Sequence, residues 1–254
     1  MIIKGIFAAS MSIFNEDLSL DTNSTITHAE NVIVEGCHGV VIFGSTGQSQ
    51  LISSIEKKKL IEKLNNSQFK ENFIIGTGSN SLNENVELMK HSLKSGINQF
   101  LLMPPAYYKY GDEGAYDYYS NIVERVPESK IILYNYEKLS GYAFNIKTVE
   151  KLVKNFPKQI IGVKDSTYNL YEKLQIPGFL IFPGSETKLL KGLELGCSGI
   201  ISAVCNVTSS LARKVYDRYK RVLPPLDLLS DVQQKELMIK LEKLEFYPAK
   251  NKAA

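Results

Sequence analysis

Short runs of branched aliphatic residues recur along the chain, each followed by a stretch whose apolar positions repeat at helical spacing. Residues 2–8, 39–43, 73–76, 99–103, 130–134, 160–164, 180–182 and 199–202 read as strands, and their unbroken apolar character suits strands buried on both faces. Residues 24–35, 54–64, 83–94, 113–126, 145–155 and 187–195 read as amphipathic helices. Ser54 with Lys57 following, Ser81 with Glu84, and Asn145 ahead of Thr148 and Glu150 supply caps. Gly36, Gly96 and Gly196 each fall between a helical pattern and a strand, where a left-handed helix exit favours glycine. Strands alternating with helices and no hairpin signal imply a parallel sheet. Eight such units in 254 residues favour an α/β fold of the (β/α)8 TIM barrel type. An open doubly wound sheet is the alternative, but no Gly-x-Gly-x-x-Gly follows the first strand to give it a dinucleotide site.

Beyond the eighth strand, residues 209–222 and 230–246 read as two helices separated by Leu223-Pro224-Pro225, with a frayed tail at 247–254. Residues 1–208 are expected to form the barrel core. Residues 209–254 are expected to add its last helix and a short C-terminal helical extension within the same domain.

Composition narrows the function classes. A formal charge of +3 is too small and too evenly spread to argue for nucleic acid, and the basic stretch 213–221 reads as a solvated helix face. Cys37, Cys197 and Cys205 have no metal-ligand spacing, so buried free thiols in a reducing compartment are expected. The N-terminal run lacks a signal-peptide layout and no stretch is long enough to span a membrane, which together lead to the expectation of a cytoplasmic protein. His28, His38 and His91 receive no role.

The most informative stretch is Ile160-Ile161-Gly162-Val163-Lys164-Asp165-Ser166, a buried strand that ends on a lysine. Desolvation disfavours an ammonium, so an amine in such a place becomes available as a neutral nucleophile, which is what Schiff-base chemistry requires. The plain alternative is a lysine that snorkels to solvent as the strand ends. In a barrel the C-terminal ends of the strands share one face, where the active site is built. Those ends deliver Gly44-Ser45-Thr46-Gly47, Tyr134-Asn135, Lys164, Gly184-Ser185-Glu186 and Ser202-Ala203. Glycine-flanked hydroxyls and backbone N–H groups suit a carboxylate, and a phenol near an amine suits proton transfer as an imine forms. No metal ligands cluster, so neither a metal nor a cofactor is expected beyond the covalent imine with Lys164.

These motifs, in this order, resemble the pyruvate-dependent class I aldolase and lyase family, which includes dihydrodipicolinate synthase, N-acetylneuraminate lyase and 2-keto-3-deoxygluconate aldolase. The resemblance covers about residues 3–207. It rests on Gly44-Ser45-Thr46-Gly47, Pro104-Pro105-Ala106-Tyr107-Tyr108, Tyr134-Asn135-Tyr136 with Ser140-Gly141, Gly162-Val163-Lys164-Asp165-Ser166, Gly184-Ser185-Glu186 and Asn206-Val207. It implies that Lys164 forms the imine with a 2-keto acid, that Tyr134 relays protons, and that Ser45 and Thr46 hold the carboxylate, with Thr46 also in the hydroxyl relay. Gly47, Gly184, Ser185, Glu186 and Ser202 are implied as further substrate contacts. Tyr107 matches a tyrosine that reaches across a subunit contact, implying a homo-oligomer, a dimer or a tetramer.

Departures from the family pattern refine the expected function. Glu137 stands where proline is usual, which predicts a looser Tyr134 loop. Leu139 occupies the position of the arginine that, in dihydrodipicolinate synthases, holds the second substrate's carboxylate. Met11-Ser12-Ile13-Phe14 replaces the usual Thr-Pro-Phe, and the helical region after the last strand is short for the family, which weighs against a tetramer. The expectation is therefore an aldolase or lyase that cleaves or forms a 2-keto-3-deoxy sugar acid with pyruvate as the enamine partner. The alternatives are condensation of pyruvate with aspartate semialdehyde, then N-acetylneuraminate cleavage, then a non-catalytic keto-acid-binding paralogue.

Overall fold

Each of the eight apolar runs forms a strand, and every strand is buried along nearly its whole length. The computed structural model describes residues 4–219 and 231–243. Its strands are β1 (Gly5–Ala9), β2 (Gly39–Ile42), β3 (Phe73–Gly76), β4 (Gln99–Leu102), β5 (Lys130–Asn135), β6 (Ile160–Asp165), β7 (Leu180–Pro183) and β8 (Gly199–Ser202). Neighbours pair in parallel, in the order β7-β6-β5-β4-β3-β2-β1-β8. The seam between β7 and β8 is bridged where Ser198 N donates to Ile181 O at 2.8 Å and Ile181 N donates to Ser198 Oγ at 3.2 Å. The result is a nearly closed (β/α)8 barrel. Side chains alternate along each strand. One set, including Phe7, Val41, Ile74, Leu101, Ile132, Tyr134, Phe182 and Ile201, fills a common core cluster. The other set lies under the helices, which is why the strands read as continuous apolar runs.

The helices are α1 (Thr22–Val34), α2 (Ser54–Leu64), α3 (Leu82–Lys94), α4 (Asp112–Arg125), α5 (Glu137–Ser140), α6 (Ile146–Asn155), α7 (Leu189–Glu194), α8 (Cys205–Arg218) and α9 (Asp231–Lys243). Ser81 and Asn145 cap α3 and α6 as expected, and Gly96 and Gly196 exit their helices at φ +77° and +85°. Ser54 is not the cap of α2. Ser53 is, because its hydroxyl accepts from Glu56 N while the Glu56 carboxylate reaches back to the Ser53 N–H, a closed capping box.

The bounds of α2 are as expected, while those of some other elements differ. Strand β1 runs on to Ala9 and does not include Lys4, while Ile2 and Ile3 lie outside the described residues. Helix α8 begins at Cys205, and α7 is shortened by a 3-10 turn at Glu186–Lys188. No helix joins β6 to β7 among the described residues; a chain of turns takes its place. The three thiols are free and buried.

The chain divides into two compact units, Met1–Asp217, which holds the barrel, and Arg218–Ala254, which holds α9. The expected Leu223-Pro224-Pro225 break, residues 244–246 of the second predicted helix and the expected tail at 247–254 lie outside the described residues.

Candidate active site

The register of β5 on β6 sets the site. Tyr134 pairs with Lys164 and Asn135 with Asp165, so strand alternation sends the first pair to one side and the second pair to the other. Tyr134 lies in the core cluster, and Lys164, only 4% exposed, shares its side of the sheet. The Lys164 Nζ sits 4.3 Å from the centroid of the Tyr134 ring. Such a position buries the amine against a π face while leaving the phenol oxygen free for another partner. That partner is Ser45, whose Oγ lies 2.9 Å from Tyr134 Oη. The hydroxyl bonded to Tyr134 is thus that of Ser45, where Thr46 was expected in the relay. Ser45 is exposed, and Thr46 lines the same cavity.

On the opposite side, Asp165 is fully buried, and its carboxylate accepts four hydrogen bonds. Asn135 Nδ2 and Tyr168 N donate to Oδ1 at 2.8 and 2.9 Å, and Leu170 N and Tyr171 N both donate to Oδ2 at 2.9 Å. Asn135 also donates to Asn169 Oδ1 at 2.7 Å and accepts from Phe144 N at 3.0 Å. A carboxylate in place of helix N–H partners therefore organises the turns after β6 and holds Tyr168 at φ +63°. Glu137 is tied to the segment after β6. Its N–H donates to Thr167 Oγ1 at 2.9 Å, a bond that a proline cannot make.

The face formed by these strand ends opens into a cavity of about 700 Å³, lined by Ser45, Thr46, Tyr134 and Lys164 with Tyr136, Lys138, Leu139, Thr167, Tyr168 and Gly184. A smaller, mostly apolar lobe of about 240 Å³ lies beside it and shares Ser45, Tyr134 and Leu139. At the rim, Lys188 Nζ stands 5.5 Å from the Tyr168 ring, and burial raises the Tyr168 phenol above its ordinary value. Gly184 is required where it is, because a Cβ there would overlap Ser166.

The remaining expected contacts fall elsewhere. Ser185 Oγ accepts from Thr187 N to cap a turn, Ser202 Oγ donates to Glu186 Oε2 at 2.8 Å, and none of these three lines the cavity. Gly47 approaches Ser10 and Ser12, with Ser12 Oγ donating to its carbonyl at 2.7 Å. Tyr107 points outward, 88% exposed at φ +83°, and meets only Tyr108 edge-on among its ring contacts.

Sequence reasoning quoted Asn135 and Asp165 without giving them work. A carboxylate directly after a buried lysine strand, with no helix to follow, is the signal that marks them. His28, left without a role, has its Nε2 2.8 Å from Asn206 Oδ1, while Asn206 Nδ2 donates to Ala9 O at 2.7 Å and ties α8 to the end of β1. Among the described residues no three His, Cys, Asp or Glu side chains come together to hold a metal. No described helix is long and apolar enough to cross a membrane.

The family model of the dihydrodipicolinate synthetase family matches residues 2–226. The chain belongs to this family. Among its curated relatives are a 4-hydroxy-tetrahydrodipicolinate synthase of Bartonella bacilliformis, 34% identical over 84% of this chain and 74% of that one. An N-acetylneuraminate lyase of Fusobacterium nucleatum is 32% identical over 86% and 76% of the two chains. In structure, the 2-keto-3-deoxygluconate aldolase of Picrophilus torridus superposes with a TM-score of 0.78 at 26% identity, covering 98% of this chain and 90% of that one. Membership in the family makes the protein a carbon–carbon lyase, of the pyruvate-dependent Schiff-base kind.

Proposed function

We propose that this family member is an aldolase that cleaves or forms a 2-keto-3-deoxy sugar acid, with pyruvate carried as an enamine on Lys164. One observation carries the reading: a buried primary amine lies against Tyr134, whose phenol is hydrogen-bonded to Ser45 at the mouth of a wide cavity. The amine attacks the keto carbon C2, water leaves, and the protonated imine accepts the electron pair released when the C3–C4 bond breaks, giving the C2=C3 enamine. The Tyr134 oxygen takes the proton from the C4 hydroxyl that becomes the aldehyde as it hands its own proton on through Ser45 to solvent in the cavity. Backbone and hydroxyl groups of Ser45 and Thr46 hold the carboxylate.

Leu139 supports the sugar-acid branch. It lines both lobes of the cavity, 45% exposed, and offers no guanidinium to a second carboxylate. The cation beside it is Lys138, which shares the lining with the Glu137 carboxylate, and the cavity also presents Thr167 and Tyr168 to a hydroxylated chain. The test is borohydride reduction in the presence of pyruvate. A mass increase on Lys164 that disappears in Lys164→Ala is expected; label that persists in the variant refutes the assignment. A panel of keto-deoxy sugar acids, scored by pyruvate release, tests the finer reading. Condensation with aspartate semialdehyde in preference to every sugar acid refutes it. Tyr107 is assigned to a contact between copies, which makes the working protein a homo-oligomer.

A further inference from the structure

Two lysines are buried among the described residues, and the chemistry above uses only Lys164. The other, Lys57, is 4% exposed and sits on the inner stripe of α2 with Leu60, Ile61 and Leu64, a position where helical spacing calls for an apolar side chain. Burying a charged amine costs free energy unless it is matched, so its partner matters. Its Nζ donates to the backbone oxygen of Thr77 at 2.9 Å. Burial pushes the amine down to about 8, with the Glu84 carboxylate of α3 opposing the fall. At neutral pH it is therefore largely an ammonium, and the bond to Thr77 is charge-assisted.

Thr77 lies where the chain leaves β3, in a segment that packs against the Ser45 loop at two points. On one side, a Cβ at Gly76 would overlap the Phe43 carbonyl and come within 3.0 Å of Gly44 N. On the other, Gly78 at φ +62° packs so tightly that a Cβ would overlap Ser49 Oγ. Between those two contacts the loop is held in an unfavourable shape, with Phe43 at φ +63° and Gln48 at φ +53° on either side of Ser45. Left-handed conformations at such residues persist only where the surroundings impose them. The segment after β3 is the neighbour packed against this loop at Phe43, Gly44 and Ser49, and Lys57 bonds to the middle of that segment.

We propose that Lys57 is a positioning residue for the Ser45–Tyr134 pair, acting through Gly76, Thr77 and Gly78. Because its readout is the enamine step, the claim rests on the reading of Lys164 and pyruvate given above. The experiment follows exchange of the pyruvate C3 protons with solvent deuterium by NMR in wild type, Lys57→Met, Ser45→Ala and the double variant. Lys57→Met is expected to slow exchange about tenfold in the wild-type background and less than about twofold in Ser45→Ala, since residues acting on one contact are not additive. Should Lys57→Met fold poorly, Gly78→Ala displaces the same segment at its Ser49 contact and is expected to show the same dependence on Ser45. An unchanged rate in the variant, or a full tenfold loss that persists without the Ser45 hydroxyl, overturns the proposal. A wild-type protein that exchanges nothing sinks the pyruvate reading instead. The positioning claim is then read from amide deuterium uptake over residues 43–49, expected to be faster in Lys57→Met, and equal uptake overturns it.

Discussion

Lys164 and Lys57 are buried to the same extent and do opposite things. Lys164 lies over the Tyr134 ring and lines the large cavity, whereas Lys57, beside a smaller one, bonds the Thr77 carbonyl with the Glu84 carboxylate acting on it. Tyr134 is the residue whose removal separates chemistry from binding. Tyr134→Phe keeps the ring under the Lys164 amine and deletes only the hydroxyl bonded to Ser45. Turnover is expected to fall by roughly 10²–10⁴-fold, with imine trapping by borohydride retained. A loss confined to substrate affinity would contradict the acid–base assignment.

Lys57 also leaves a mark on stability. Its folded value of about 8 lies below the ordinary lysine value of 10.5. Between those two values the unfolded chain holds a proton that the folded protein has released, so this group makes stability rise with pH across that window. The contribution has a slope of at most about 1.4 kcal/mol per pH unit. Denaturant unfolding at pH 7.5, 8.5 and 9.5 is expected to show that rise in wild type relative to Lys57→Met. Parallel stability curves for the two proteins would contradict a depressed amine. Lys164 stood out in the sequence because it closes a strand. Lys57 did not, although a lysine at the head of the 57, 60, 61, 64 stripe is a readable anomaly.

At the scale of elements, hydrophobic periodicity located every strand of the barrel, since burial on both faces leaves a continuous apolar run. It was weaker at the ends of elements, where single side-chain hydrogen bonds decide. The Ser53–Glu56 box, not Ser54, caps α2, whose bounds are those read from the sequence, and Asp165 gathers turns after β6 where no helical pattern was read. Asp165 accepts from three backbone N–H groups and one side chain in a fully buried setting, so truncation strands four donors at once. Asp165→Ala is expected to lower unfolding free energy by about 3 kcal/mol or more. It should also open residues 166–171 to limited proteolysis. Full protection of that stretch in the variant would show that the turns are held by something else. Glu137 makes a related point. Judged against the family pattern, the lost proline predicted a looser loop, but its N–H gained the Thr167 hydroxyl.

For the whole molecule, Tyr107 and Tyr108 are large aromatics left 88% and 78% exposed, and Tyr107 holds a left-handed backbone to stay there. Both facts suit residues that are covered in an assembly. Sedimentation is expected to give a dimer or larger particle for wild type, and a shift towards monomer for Tyr107→Ser with Tyr108→Ser. A monomeric wild type would remove the assignment of Tyr107 to a contact between copies.

The sequence by itself determined the barrel and its chemistry-bearing strand ends, because alternation, burial and turn residues are local patterns that the chain carries in order. It also carried the family motifs from the Ser45 loop to the Lys164 strand. Only the tertiary structure decided which hydroxyl meets Tyr134, that Asp165 gathers the turns after β6, and that Lys57 reaches Thr77. The first and last join segments distant along the chain, and the Asp165 bonds are local but depend on how the turns fold back on the carboxylate. Strand register and close packing therefore fix all three, rather than any periodicity.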